Sequence, residues 1–179
     1  MLSPLGKPTE YRSDYAPELL YPIPRQLKRD ELGITAATLP FVGEDIWNAY
    51  EVSWLNPKGK PVVALATFWV PATSPNLVES KSLKLYLNSF NQTTFADASA
   101  VEATLERDLS AAAGAQVSTK IEVLSGRPQP TLGYPQGILL DDLDIACDTY
   151  QPAPQQLVAV DGEKVKKFCT LIFLNPIVW

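Results

Sequence analysis

A chain of 179 residues with 46% hydrophobic content holds enough apolar side chain for one domain with its own core. Its net charge of −5 argues against the clustered cations that a nucleic-acid surface needs. The absence of histidine excludes Ser-His-Asp and Cys-His nucleophiles and His-ligated zinc or iron. Cys147 and Cys169 carry the two thiols and lack metal-ligand spacing, so no metal site is expected. No apolar run approaches membrane-spanning length, and Met1–Lys7 lacks a signal peptide's apolar stretch. The expectation is a cytoplasmic protein without a membrane partner.

Sixteen prolines, concentrated in the N-terminal quarter and after Gly126, predict long ordered loops around a smaller regular core. Residues 1–44, rich in Pro, Tyr and Arg, read as an extended N-terminal arm. Residues 45–150 read as the folded module and 151–179 as a C-terminal segment. Ala49 to Leu55 predicts a strand, with Tyr50, Val52 and Trp54 alternating against Glu51 and Ser53. Asn56-Pro57-Lys58-Gly59 is a strong turn signal. Val62 to Val70 supplies the partner strand, apolar enough to be covered on both faces. After a loop at Thr73–Asn76, a first helix runs from Ser80 to Phe90. Ser99 with Glu102 has the pattern of a capping box opening a second helix that ends at Ala113, with Gly114 as C-cap. Its inner stripe is Val101, Leu105, Leu109 and Ala112. Val117 to Leu124 reads as a third strand, and a fourth is placed within Gly137 to Ile145. The predicted class is α+β, in the order strand, strand, helix, helix, strand, strand.

The most informative stretch is Val78-Glu79-Ser80-Lys81-Ser82-Leu83-Lys84-Leu85-Tyr86. Leu83, Tyr86, Leu87 and Phe90 form the apolar stripe of an amphipathic helix, so the polar residues collect at its first turn. Unsatisfied N–H groups and the positive end of the helix dipole favour anions there. A carboxylate at that place can pair with donors on a planar heterocycle, while Ser80 and Lys81 can hold phosphate. Ordinary N-capping with a solvated charged face is the alternative reading of the same residues.

The run Glu79 to Phe90 resembles the signature of the 7-cyano-7-deazaguanine reductases, the nitrile reductases of queuosine biosynthesis, a tRNA modification pathway. Further matches follow in order: Leu5-Gly6-Lys7 with Thr9 and Tyr11, Pro24-Arg25, Asp45-Ile46-Trp47, Tyr50 to Asn56, and Glu106-Arg107-Asp108-Leu109-Ser110. The likeness spans roughly Leu5 to Val165 and fits the longer, two-module branch. It implies a tunnelling fold (T-fold), with an antiparallel sheet, two helices on one face and a homo-oligomer in the intact member. It also implies NADPH as cofactor and a small deazapurine as substrate, whose nitrile is reduced to an aminomethyl group. Carried over by position, Val78, Glu79 and Ser80 match substrate-contacting residues, and Ser80 and Lys81 match residues that touch NADPH. Another T-fold class, the pterin cyclohydrolases, needs zinc-binding histidines and is disfavoured by their absence.

The family's nucleophile is a cysteine in a Ser-Asn-Cys context with an aspartate seven residues on, followed further along by a His-Glu pair, and none of these is present. Cys169 has Pro176 at that distance, and Cys147 lies in a stretch the family does not use for this purpose. No residue of this chain is therefore assigned a catalytic role. One permitted codon choice for Lys166 to Trp179, read one base earlier, encodes Glu-Glu-Ile-Leu-Tyr-Ser-His-Leu-Phe-Lys-Ser-Asn-Cys-Leu, the family's approach to its nucleophile. The expectation is thus a reductase truncated by a frameshift after Val165, with an apolar tail that has no evolved partner. The alternative is a legitimate terminal strand on the sheet.

Overall fold

The computed structural model describes residues 12–125, residues 144, 146, 148–151 and 153, and the backbone of 170–174. In chain order the elements are β1 (Pro22–Pro24), α1 (Gln26–Glu31), β2 (Glu44–Leu55), β3 (Pro61–Pro71), β4 (Asn76–Val78), α2 (Ser80–Asn88), α3 (Ala98–Ala113), β5 (Ser118–Val123) and β6 (Thr170–Leu174). The main sheet has the order β5-β3-β2-β6, and β1 with β4 forms a separate two-stranded ribbon. The fold is α+β, and β2, β3, α2, α3 and β5 reproduce the expected order. Among the described residues no helix is long and apolar enough to cross a membrane.

The β2–β3 hairpin is turned by Asn56, whose Oδ1 accepts from the amides of Lys58 at 2.9 Å and Lys60 at 3.0 Å. Its register slips between Ala49 and Val52, so Tyr50 and Glu51 face a single residue of β3. This bulge changes the parity of the strand. Trp47 and Ala49 are buried before it, Val52 and Trp54 after it, and Tyr50, predicted to point inward, is 40% exposed. On β3 the inward residues Ala64, Ala66, Phe68 and Val70 are buried. The opposite face is not sealed as its apolar sequence predicts, because Val63 is exposed and Leu65, Thr67 and Trp69 are half-exposed.

Helices α2 and α3 cover the inward face. The predicted stripe Leu83, Tyr86, Leu87 and Phe90 is buried throughout, although α2 itself closes at Asn88 with Ser89 as C-cap. Phe90 packs edge-on against Tyr86 at 5.1 Å and Tyr15 at 5.6 Å, and stacks on Phe95 at 5.2 Å. Such contacts add about 0.5–1.5 kcal/mol per pair to simple burial. On α3, Val101, Leu105 and Leu109 are buried as predicted, while Ala113 takes the deep position and Ala112 is half-buried. The cap differs: Asp97, not Ser99, accepts the amide of Ala100 at 2.8 Å. Glu102 instead reaches β5, accepting from Ile121 N–H at 2.8 Å, and Glu106 accepts from Thr119 N–H at 3.0 Å. Both carboxylates thus bind the helix to the sheet. Gly114 ends α3 at φ 71°, and a Cβ there would meet Pro75 Cγ at 2.6 Å, so glycine is required twice over.

Residues 12–44 are not simply extended. They carry a 3-10 turn (Pro17–Leu19), β1, α1 and a second 3-10 turn (Ala36–Thr38). β1 pairs antiparallel with β4, matching Pro22 to Val78 and Pro24 to Asn76. Arg25 then ties this segment to the hairpin through an ion pair with Asp45 and a 3.0 Å bond to Ser74 Oγ. The fourth strand expected within 137–145 falls almost entirely outside the described residues. The edge of β2 is taken instead by β6, which runs parallel to it and pairs Asp45 to Thr170 through Ala49 to Leu174. The backbone of 170–174 thus lies on the sheet as a strand.

Candidate functional site

Val78, Glu79, Ser80 and Lys81 lie together where β4 becomes α2. Val78, buried, is the last residue of β4. Glu79 is the N-cap of α2, with extended backbone at φ −67° and ψ 131°. Its Oε1 accepts from Lys81 N–H at 2.9 Å and its Oε2 from Ser82 N–H at 2.7 Å. Ser80, the first helical residue, is exposed, and Lys81 is half-buried.

The capping alternative is realised in this geometry. Each carboxylate oxygen offers two lone-pair directions, and each uses one on a backbone amide. One acceptor direction per oxygen is left, and the pair is fixed in a known plane. Glu79 is only 5% exposed, so a partner there would meet it with little competing water. The helix terminus as a phosphate site is altered, because two of its amides already serve Glu79. Binding of a phosphate at this turn would fall to the Ser80 amide and hydroxyl and to the Lys81 side chain.

Helix α2 is clamped along its length by residues 15–22. At its C-terminal end Ala16 N–H donates to Ser89 Oγ at 3.1 Å. At its N-terminal end Glu79 N–H donates to Tyr21 O at 2.8 Å, and Tyr21 N–H donates to Ser82 Oγ at 3.0 Å. Between these ends sits a polar cluster that the sequence analysis did not single out as such. Asp108 of α3 accepts on Oδ2 from the Tyr86 hydroxyl at 2.7 Å and from the Tyr15 hydroxyl. Arg107 Nε donates to Asp108 Oδ1 at 2.9 Å, and Arg107 Nη2 donates to Tyr15 Oη at 2.6 Å. The available signal was positional: Asp108 lies three residues after Leu105 and seven after Val101, on the buried stripe of α3.

Burial and the bond to Asp108 push the Tyr15 hydroxyl up to about 12, and the same two causes raise Tyr86. The folded chain therefore keeps protons that the unfolded chain releases above its ordinary value of 10. Since the unfolded state then binds fewer protons, stability falls as pH rises. We expect denaturant midpoints to decline from about pH 10 toward pH 12 and beyond. The slope should correspond to roughly one to two protons, and the Tyr15→Phe variant should show a shallower one.

A cavity of about 480 Å³ opens between α1, β1 and the start of β2, lined by Ile23, Arg25, Arg29, Phe41, Asp45 and Leu77 among others. It contains none of the four predicted site residues. Cys147 and Cys169 lie outside the described residues.

Comparison with known proteins gives a consistent result. Residues 11–121 match the family described as nitrile reductase, 7-cyano-7-deazaguanine-reductase, N-terminal. The chain is 68% identical over 165 residues to an NADPH-dependent 7-cyano-7-deazaguanine reductase of Dechloromonas aromatica (strain RCB), covering 92% of this chain and 58% of that protein. Proteins with the same name from Azoarcus sp. (strain BH72) and Cupriavidus taiwanensis are 64% identical over 159 residues and 53% identical over 162. These two matches cover 89% and 90% of this chain, and 57% and 58% of the respective relatives. The chain thus spans a little under three fifths of the length of the curated relatives it matches. On the match over 111 consecutive positions and on these identities, the chain belongs to the N-terminal family of the 7-cyano-7-deazaguanine reductases.

Proposed function

We propose that this chain is the substrate-binding module of an NADPH-dependent reductase that converts the nitrile of 7-cyano-7-deazaguanine to an aminomethyl group, in the synthesis of a tRNA nucleoside. The observation that carries this reading is the Glu79 carboxylate, buried, fixed by two chain amides and left with one acceptor direction on each oxygen. The guanine-like edge of the substrate presents two N–H donors side by side, the complement of that arrangement. Charge-assisted bonds of this kind contribute about 1.5–3 kcal/mol each. Val78 and Ser80 flank the ring, and Ser80 with Lys81 holds the phosphate-bearing cofactor. When bound, NADPH supplies hydride; the residues of this module bind and orient, and none of them acts as nucleophile.

The alternative reading is a purine-binding remnant without catalysis. It is favoured by the surroundings of Cys147 and Cys169, neither of which has the aspartate spacing of the family's thiolate. Capture of the nitrile carbon by a thiolate divides its reduction into easier steps, and loss of such a nucleophile costs several orders of magnitude in rate. Titration of the purified chain with 7-cyano-7-deazaguanine in a calorimeter tests the shared part of both readings. We expect saturable uptake, and an absence of heat in a folded sample would refute it. Nitrile-dependent NADPH oxidation by chain free of host reductase would decide for the enzyme over the remnant.

A further inference from the structure

We infer that Ser82 is a positioning residue that, together with the N-terminal strand β1, holds the Glu79 carboxylate in its binding plane. The inference rests on the reading that Glu79 takes the heterocycle. A bidentate contact tolerates displacements of only about 0.5 Å, yet a glutamate side chain has three rotatable bonds and α2 is a helix of nine residues whose first turn is prone to fray. Something outside the helix must keep that turn closed.

The geometry points to a ring of three hydrogen bonds. Ser82 Oγ donates to Glu79 O at 2.7 Å and accepts from Tyr21 N–H at 3.0 Å, while Glu79 N–H donates to Tyr21 O at 2.8 Å. Ser82 is 1% exposed, so its hydroxyl has no water to exchange for these partners. One side chain therefore joins both ends of the problem. Its amide binds the Glu79 carboxylate, and its hydroxyl binds the Glu79 carbonyl and the Tyr21 amide of the strap formed by residues 15–22. Immediately beyond Tyr21, Pro22 pairs with Val78, which extends the ring into the β1–β4 ribbon. Two site residues in succession, Val78 and Glu79, are thereby fixed by backbone groups of Tyr21 and Pro22.

The test uses the full chain with Ser82→Ala, which deletes the hydroxyl, and Ser82→Cys, which keeps the size with a weaker donor. Hydrogen exchange is read at the amides of residues 81 and 82, with Leu105 in α3 as an internal reference. We expect exchange at 81 and 82 to accelerate about tenfold or more in Ser82→Ala and by less in Ser82→Cys, with Leu105 unchanged. Affinity for 7-cyano-7-deazaguanine should fall in the same order, again by about tenfold for alanine. Should Ser82→Ala not fold, the cysteine variant decides by the same two measurements. Unchanged exchange at 81 and 82 in a folded variant, or unchanged affinity despite accelerated exchange, overturns the inference. If the unmodified chain takes up no nitrile, the functional reading fails, and the exchange measurement alone still decides whether Ser82 holds Glu79.

Discussion

Asp108→Ala should lower the unfolding free energy by about 2–4 kcal/mol. The carboxylate is 8% exposed and accepts from two tyrosine hydroxyls and one guanidinium. Its removal leaves the Tyr86 hydroxyl, on a side chain that is fully buried, without an acceptor. An orphaned buried donor costs about 1–3 kcal/mol, and charge-assisted bonds are lost in addition. The same substitution releases Tyr15, which docks the strap on Phe90. Arg107 contributes much less, since its side chain is 64% exposed and screened by water. Urea denaturation of the two alanine variants checks the ordering: Asp108→Ala should lose several times what Arg107→Ala loses. An Asp108→Ala midpoint indistinguishable from the parent would show that the cluster does not hold the strap to the helices.

Glu79→Ala should weaken binding of 7-cyano-7-deazaguanine at least about a hundredfold, since two charge-assisted bonds disappear together. The same change should cost only about 1 kcal/mol of stability, the usual value of a lost N-cap. That contrast separates a binding role from a folding role. Glu79→Gln sharpens it, because the amide keeps one oxygen for the helix but presents an N–H₂ group where the ring needs an acceptor. Calorimetric titration beside thermal unfolding measures both quantities on each variant. Parallel losses of stability and affinity, or affinity untouched by either substitution, would reduce Glu79 to a helix cap.

The helices and the hairpin were legible because their signals are local. The stripe Leu83, Tyr86, Leu87, Phe90 and the turn at Asn56 depend on neighbours within a few positions, and both appear as read. Asp97 displaced Ser99 as the cap of α3, since Glu102 is drawn away to Ile121 and cannot complete a capping box. Tyr50 was misplaced because a bulge leaves no mark in an alternating pattern, only a change of parity beyond it. The strap was unreadable for a different reason: its pairing with Val78, Ser82 and Ser89 is made by backbone groups, which every sequence supplies. The placement of Val78, Glu79, Ser80 and Lys81 at one helix start was legible, while the occupation of the helix amides by Glu79 itself depends on its exact side-chain conformation.

Strand β2 receives its second neighbour from the far end of the chain, at Thr170–Leu174. On a ribosome adding about 5–20 residues per second, the hairpin of β2 and β3 would close within microseconds of emerging, then wait roughly 5–20 s for that neighbour. Throughout that interval the N–H and C=O groups of Asp45 to Ala49 that point away from β3 stand open to any extended segment of another nascent chain. A slower ribosome thus lengthens the time for which that edge stays uncovered.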